Sequence, residues 1–72
     1  GRSALHYACM AGHVDAASIL IQHGATVDLA DYSGRTPLHW AVYYGRYRPT
    51  KALLQNGANP SLTDYALHTP LH

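Results

Sequence analysis

Glutamate and phenylalanine are absent from this 72-residue chain, lysine and cysteine each occur once, and only 12% of the residues are charged. Without glutamate, the carboxylates are Asp15, Asp28, Asp31 and Asp64, spread along the chain and suited to turns and helix starts rather than to a paired acid–base site. A single Cys9 excludes an internal disulfide framework and is what a reducing compartment leaves, so cytoplasm or nucleus is the expected location. Five Lys and Arg against four Asp give a formal charge of +1, too little to draw in nucleic acid, an anionic membrane or an acidic substrate. No apolar run approaches the roughly 18 residues that span a bilayer, and no secretory segment is present. A phosphate-binding glycine loop and a nucleophile elbow are missing too. These absences predict a protein that is not an enzyme, with no cofactor and no small-molecule substrate. The chain is nevertheless 47% hydrophobic, so it has material for a core and is no disordered tail.

What the chain has is repetition. Ser3-Ala4-Leu5-His6, Thr36-Pro37-Leu38-His39 and Thr69-Pro70-Leu71-His72 share one pattern, and their histidines are spaced by 33 residues twice over. At the same offset Ala8 meets Ala41, Gly12 meets Gly45, Leu20 meets Leu53 and Gly24 meets Gly57. Asp31-Tyr32 likewise meets Asp64-Tyr65. The repeat divides the chain into units at 1–33 and 34–66, with the start of a third at 67–72.

Each unit reads as two short helices and a turn. Leu5, Ala8 and Cys9, then Leu38, Ala41 and Val42, fall at i, i+3 and i+4 on one helical face, which predicts helices over about 4–11 and 37–44. Ser3 and Thr36 suit the N-cap, and Pro37 fits the first helical position. Gly12 and Gly45 stop these helices. Second helices are expected over about 15–23 and 48–56, carrying Ile19-Leu20 and Leu53-Leu54, with Gly24 and Gly57 just past their ends. Pro49 is tolerable there only in the first turn. Asp31-Tyr32-Ser33-Gly34 matches a type I turn; Asp64-Tyr65-Ala66-Leu67 lacks the glycine and is expected to be less regular.

The string Asp31-Tyr32-Ser33-Gly34-Arg35-Thr36-Pro37-Leu38-His39-Trp40-Ala41 resembles the ankyrin repeat, and the resemblance runs over nearly the whole chain. It implies an all-α helical solenoid of stacked helix pairs with projecting hairpin-like loops. The first helix of each pair would line a concave surface, and members of the family usually bind proteins there and at the loop tips. Ser3-Ala4 departs from the Thr-Pro of the pattern. With no capping unit at either end, the chain is expected to be a segment of a longer array, marginally stable alone.

Six histidines raise the question of a metal, and His6, Cys9 and His13 lie at i, i+3 and i+7. One period on, Cys9 and His13 become Val42 and Arg46, and a structural site wants four ligands, so no metal site is expected. His6, His39 and His72 each follow a hydroxyl residue by three positions, close enough for a bond across one helical turn. The resemblance implies that the other ring nitrogen bonds a backbone carbonyl of the neighbouring unit.

Arg35, Arg46, Arg48 and Lys51 read as a solvated helix edge, with an acidic partner segment as the alternative. Trp40, Tyr43 and Tyr44 form a second stripe at i, i+3 and i+4. Packing between units is the expected fate of Trp40 and Tyr7. Exposure is expected for Tyr32, Tyr43, Tyr44 and Tyr65, because the family leaves those positions variable and on the surface. Tyrosine there offers contact area at little entropic cost. The expected function is protein–protein recognition through Tyr32, Ser33, Arg35, Tyr43, Tyr44, Tyr65, Ala66 and His68. A structural spacer without partner contacts is the alternative.

Overall fold

The computed structural model describes residues 1–64, 66 and 68–70. Among them run four helices, α1 (Ala4–Ala11), α2 (Val14–Gln22), α3 (Pro37–Tyr43) and α4 (Tyr47–Gln55), and no strand. Their order, short then longer, repeats with the sequence. The expectations that rest on Tyr65, Leu67, Leu71 and His72 lie outside the described residues.

Capping chemistry starts the two short helices in the same way. Ser3 Oγ accepts the His6 amide at 3.3 Å, while the His6 ring accepts the Ser3 amide at 3.0 Å. Thr36 and His39 repeat this at 3.3 and 3.1 Å. The result is a reciprocal box in which imidazole does the work more often done by a Glu or Gln side chain. Pro37 opens α3, where its missing N–H has no intrahelical acceptor to lose. Pro49 is the third residue of α4, still within the first turn, so that helix also loses no bond.

Gly12 ends α1 in the left-handed region with φ +79°, which an L side chain rarely adopts. An added Cβ would also stand 3.1 Å from Arg46 Cδ, close enough that the arginine would have to shift. The arginine lies over this end of α1 to donate from Nε to the Met10 carbonyl at 2.9 Å. It thereby supplies an acceptor-rich helix terminus with a cation from the next unit. Arg46, exposed as the solvated-edge reading expects, also ties the two units together.

Each helix packs on its own partner and on its counterpart, α1 on α2 and α3, and α4 on α3 and α2. The buried set is Leu5, Ala8 and Cys9 of α1, Leu38 and Ala41 of α3, Ala17 of α2 and Leu53 of α4. Leu20 and Val42 pack against this cluster, whereas Ile19 and Leu54, the neighbours of the inward leucines, are exposed. Leu5, Leu38 and Leu53 lead this burial, each contributing roughly 1.5–3 kcal/mol, and the small alanines let the helices approach closely.

Candidate partner-binding surface

The tips of the two loops are built on aspartate. Asp31 Oδ1 accepts the amides of Ser33 and Arg35, both at 2.9 Å, and its carbonyl accepts Gly34 N–H at 2.9 Å, closing the turn that the sequence predicts. Asp64 Oδ1 does the same for Ala66 and His68, again at 2.9 Å. The aspartate half of the second tip is therefore as regular as the first, despite the missing glycine. The residue that replaces that glycine, Leu67, lies outside the described set.

Arginines join successive tips. Arg2 Nε stands 3.8 Å from Asp31 Oδ2, and one period later Arg35 Nε stands 3.2 Å from Asp64 Oδ2. Both carboxylates are held ionised. At Asp64 the His68 amide leads the stabilisation, burial opposes it, and the Arg35 side chain and Ala66 amide add to it, lowering the pKa from 3.8 to about 2. Burial pushes the Asp31 carboxyl upward, but the Trp40 indole and the amides of Arg35 and Ser33 outweigh it and hold the group below its ordinary value.

Trp40 is the hub of this surface. Its Nε1–H donates to Asp31 Oδ2 at 2.8 Å, and the guanidinium carbons of Arg2 and Arg35 lie 4.5 and 4.8 Å from its ring. Only 5% of it is exposed, in accord with the expected packing between units. Tyr44 stacks on it with centroids 5.9 Å apart, and Tyr43 meets it edge-on at 5.8 Å. Tyr43 and Tyr44 meet each other edge-on at 5.1 Å, which fixes both rings while leaving them 71% and 46% exposed.

Tyr7 corrects the sequence reading. It occupies the register position of Trp40 in the first unit, yet it is 56% exposed. Tyr7 instead lines a shallow groove of ≈ 260 Å³ with Arg2, Tyr32 and Ser33.

The remaining expected site residues divide into two groups. Tyr32, 87% exposed, and Ser33 stand at the first tip beside Tyr7. Arg35, Tyr43 and His68 come together around a second groove of ≈ 380 Å³ whose other walls include Asp64, Val42 and Pro70. Tyr44 adjoins Tyr43, and Ala66 is exposed at the second tip. Tyr65 lies outside the described residues. Sequence reasoning missed Arg2 and Asp64 as parts of this surface. The signal was present, since Arg2 and Arg35, like Asp31 and Asp64, are one period of 33 apart.

The buried histidines serve the frame. His6 Nδ1 takes the Ser3 amide and lies 2.8 Å from its hydroxyl, so the proton sits on Nε2, which donates to the Arg35 carbonyl at 2.9 Å. His39 repeats the arrangement with Thr36 at 2.9 Å and the His68 carbonyl at 2.9 Å. Both nitrogens of each ring are engaged, in the pattern the resemblance implies for these two rings. Beside them Cys9 is fully buried, and burial pushes its thiol up to about 11, away from the thiolate needed for nucleophilic or metal chemistry. Among the described residues no helix is long and apolar enough to cross a membrane.

Comparison with known proteins follows the same outline. A family model described as ankyrin repeats (3 copies) matches residues 1–64. Among solved structures, the chain is similar to the human ASB11 ankyrin repeat domain, with 36% identity and a TM-score of 0.92. The match covers 96% of this chain and 31% of that one, so the chain spans about a third of that domain's length. No curated protein matches.

Proposed function

The chain belongs to the ankyrin-repeat family, whose repeats are generally non-catalytic protein–protein interaction modules, and from that premise we propose that it binds another protein through its α3 tyrosines and loop tips. One observation carries this reading. Tyr43 and Tyr44 pack against the buried Trp40 yet remain exposed. A spacer between neighbours has no use for large rings in water, whereas a preordered tyrosine loses little entropy on binding. Tyr7, Tyr32 and Ser33 extend the same kind of surface to the first tip. The neighbouring arginines already have aspartate partners, so the contact area is aromatic rather than strongly charged. No reaction is assigned to the chain; the buried His6 and His39 have both ring nitrogens engaged in the frame, and the Cys9 thiol is buried.

The test is a pull-down with the full-length protein and with its Tyr43→Ala/Tyr44→Ala form, followed by identification of what is lost. Loss of one or a few proteins, with folding intact by circular dichroism, supports the proposal. An unchanged set of captured proteins supports the spacer reading instead.

A further inference from the structure

The formal charge of +1 hides an uneven split between the units. Arg2 against Asp15, Asp28 and Asp31 leaves the first unit at −2, while Arg35, Arg46, Arg48 and Lys51 against Asp64 leave the second at +3. Arg35 pairs with Asp64 at 3.2 Å, so the second unit's excess rests on Arg46, Arg48 and Lys51. None of these three makes an ion pair among the described residues. Arg46 gives its Nε to the Met10 carbonyl and keeps its formal charge. All three are exposed, and so is Tyr47 among them, at 76%. To carry them α4 breaks two local rules. Its first turn holds Arg48 and no acid, at the end of a helix where the dipole favours a negative charge. Arg48 and Lys51 also stand at i and i+3, where like charges repel. By contrast α2 has Asp15 at the register position of Arg48. A local cost without a local gain marks residues kept for something outside the frame. Stacking does not close over this face either. One period earlier, with the second unit packed on the first, His13 and Asp15 are exposed and Val14 and Ser18 are only half-buried. The counterparts Arg46, Arg48, Tyr47 and Lys51 thus keep access to solvent within an array.

We infer that this face of α4 binds an acidic segment of the partner protein, with carboxylates on Arg46, Arg48 and Lys51 and an apolar side chain against the Tyr47 ring. The inference rests on the protein-binding reading and adds a charged contact to the aromatic one. Size selects the occupant. From residue 46 to residue 51 the patch runs roughly 8 Å along the helix, the length of two or three residues of extended chain. A peptide can set two or three carboxylates in that span. Three cations fall short of the roughly 6–10 phosphate contacts made by a DNA-binding protein, and of the roughly 4–8 clustered bases that hold an anionic membrane. The guanidinium forks of Arg46 and Arg48 match carboxylate geometry, and arginine and tyrosine are enriched at the energetic centres of protein interfaces.

A pair of probes tests this: a short blocked peptide carrying glutamates around one leucine, and its counterpart with glutamine in place of glutamate. Added at low salt to the ¹⁵N-labelled full-length protein, the glutamate peptide should shift the amide signals of Arg46, Tyr47, Arg48 and Lys51. The glutamine peptide should bind about tenfold more weakly, the scale of several exposed ion pairs acting together. Raising the salt should erase most of that gap. The variant Arg48→Gln/Lys51→Gln should bind the two peptides alike. It should also melt no lower than its parent, since it removes cations from the positive end of α4. Equal binding of the two peptides by the parent, shifts confined to other residues, or a gap that survives in the variant overturns the inference. Tighter binding of a poly-dT oligonucleotide or of phosphatidylserine vesicles than of the glutamate peptide overturns it in favour of nucleic acid or membrane. Capture of a partner that depends on Tyr43 and Tyr44 but not on Arg48 and Lys51 would overturn the acidic contact and leave the protein-binding reading standing. Capture that is indifferent to those tyrosines would count against that reading whatever the peptides do.

Discussion

Position by position, α1 and α3 agree at most of their buried sites and part company at Trp40 and at the two exposed tyrosines of α3. Leu5 and Leu38, His6 and His39, Ala8 and Ala41 are identical pairs, all inside, and Cys9 and the partly buried Val42 are alike in size. Where they differ, Tyr7 corresponds to the buried Trp40, while Met10 and Ala11 correspond to the exposed Tyr43 and Tyr44. A buried site in a repeat must fit the same neighbours every 33 residues, so its identity is fixed by packing and by hydrogen bonds that cross to the next unit. The outward sites carry no such constraint. Their divergence is where one unit acquires a surface that the other lacks, and a constant frame with changed surface residues is how one fold serves many partners.

Breaking the agreeing set should cost most. Leu5→Ala and Leu38→Ala remove equivalent fully buried side chains, and each should destabilise the protein by about 2–5 kcal/mol in a urea titration. The closeness of the two values measures how alike the units are. A cost below about 1 kcal/mol at either position would show that its unit is not part of the shared core.

His39→Ala comes next, at about 1–3 kcal/mol, because Thr36 and the His68 carbonyl lose the ring that joins them. Partner binding should persist at temperatures where the array stays folded. Loss of binding with the fold intact would move His39 from the frame to the interface.

Acid should act on the loop tips before it acts on the helices. Asp31 and Asp64 have folded-state pKa values below the ordinary 3.8, about 2 for Asp64. Each therefore contributes stability that is present above about pH 4 and lost as the pH falls toward 2. Melting temperature followed from pH 5 to pH 2 should drop, and Asp64→Asn should flatten part of that drop. An equal slope in the variant would mean that the second tip is not held by its carboxylate.

The smallest effect on folding belongs to the divergent set. Tyr43→Ala should cost about 0.5 kcal/mol, as exposed substitutions do. Tyr44→Ala should cost up to about 1 kcal/mol more, because its ring stacks on Trp40. Thermal melts of the two variants separate the values. A loss of several kcal/mol at Tyr43 would place that ring in the core.

The frame was legible in the sequence for a physical reason: the repeat is written in the buried residues themselves. Ser3 and His6, and Thr36 and His39, are close in the chain and bond across one helical turn, so their partnership follows from spacing alone. Pro49 could be placed in the first turn of α4 because proline fits almost nowhere else in a helix. Trp40 and Tyr7 show where local reasoning ends. Both sit at one register position and both are large rings, yet Asp31, Arg2 and Arg35 cover the first and leave the second open. Those contacts on Trp40 depend on residues of two units, which spacing within one unit does not reveal. The tie made by Arg46 was hidden for a similar reason, since its partner is the carbonyl of Met10 in the preceding unit.

The central claim is that the buried residues shared by α1 and α3 make the frame and that the exposed tyrosines peculiar to α3 make the interface. It is tested most directly by giving the second unit the surface of the first. The double substitution Tyr43→Met/Tyr44→Ala installs the residues found at 10 and 11 without touching a fully buried position. Affinity for the captured partner and urea stability are then measured on the same full-length preparation. The account predicts a stability change within about 2 kcal/mol, the sum expected for one exposed ring and one stacked pair. It predicts binding weakened by about tenfold or more, the mark of an interface hot spot. Unchanged affinity together with a large loss of stability would contradict it, and would make the α3 tyrosines part of the frame.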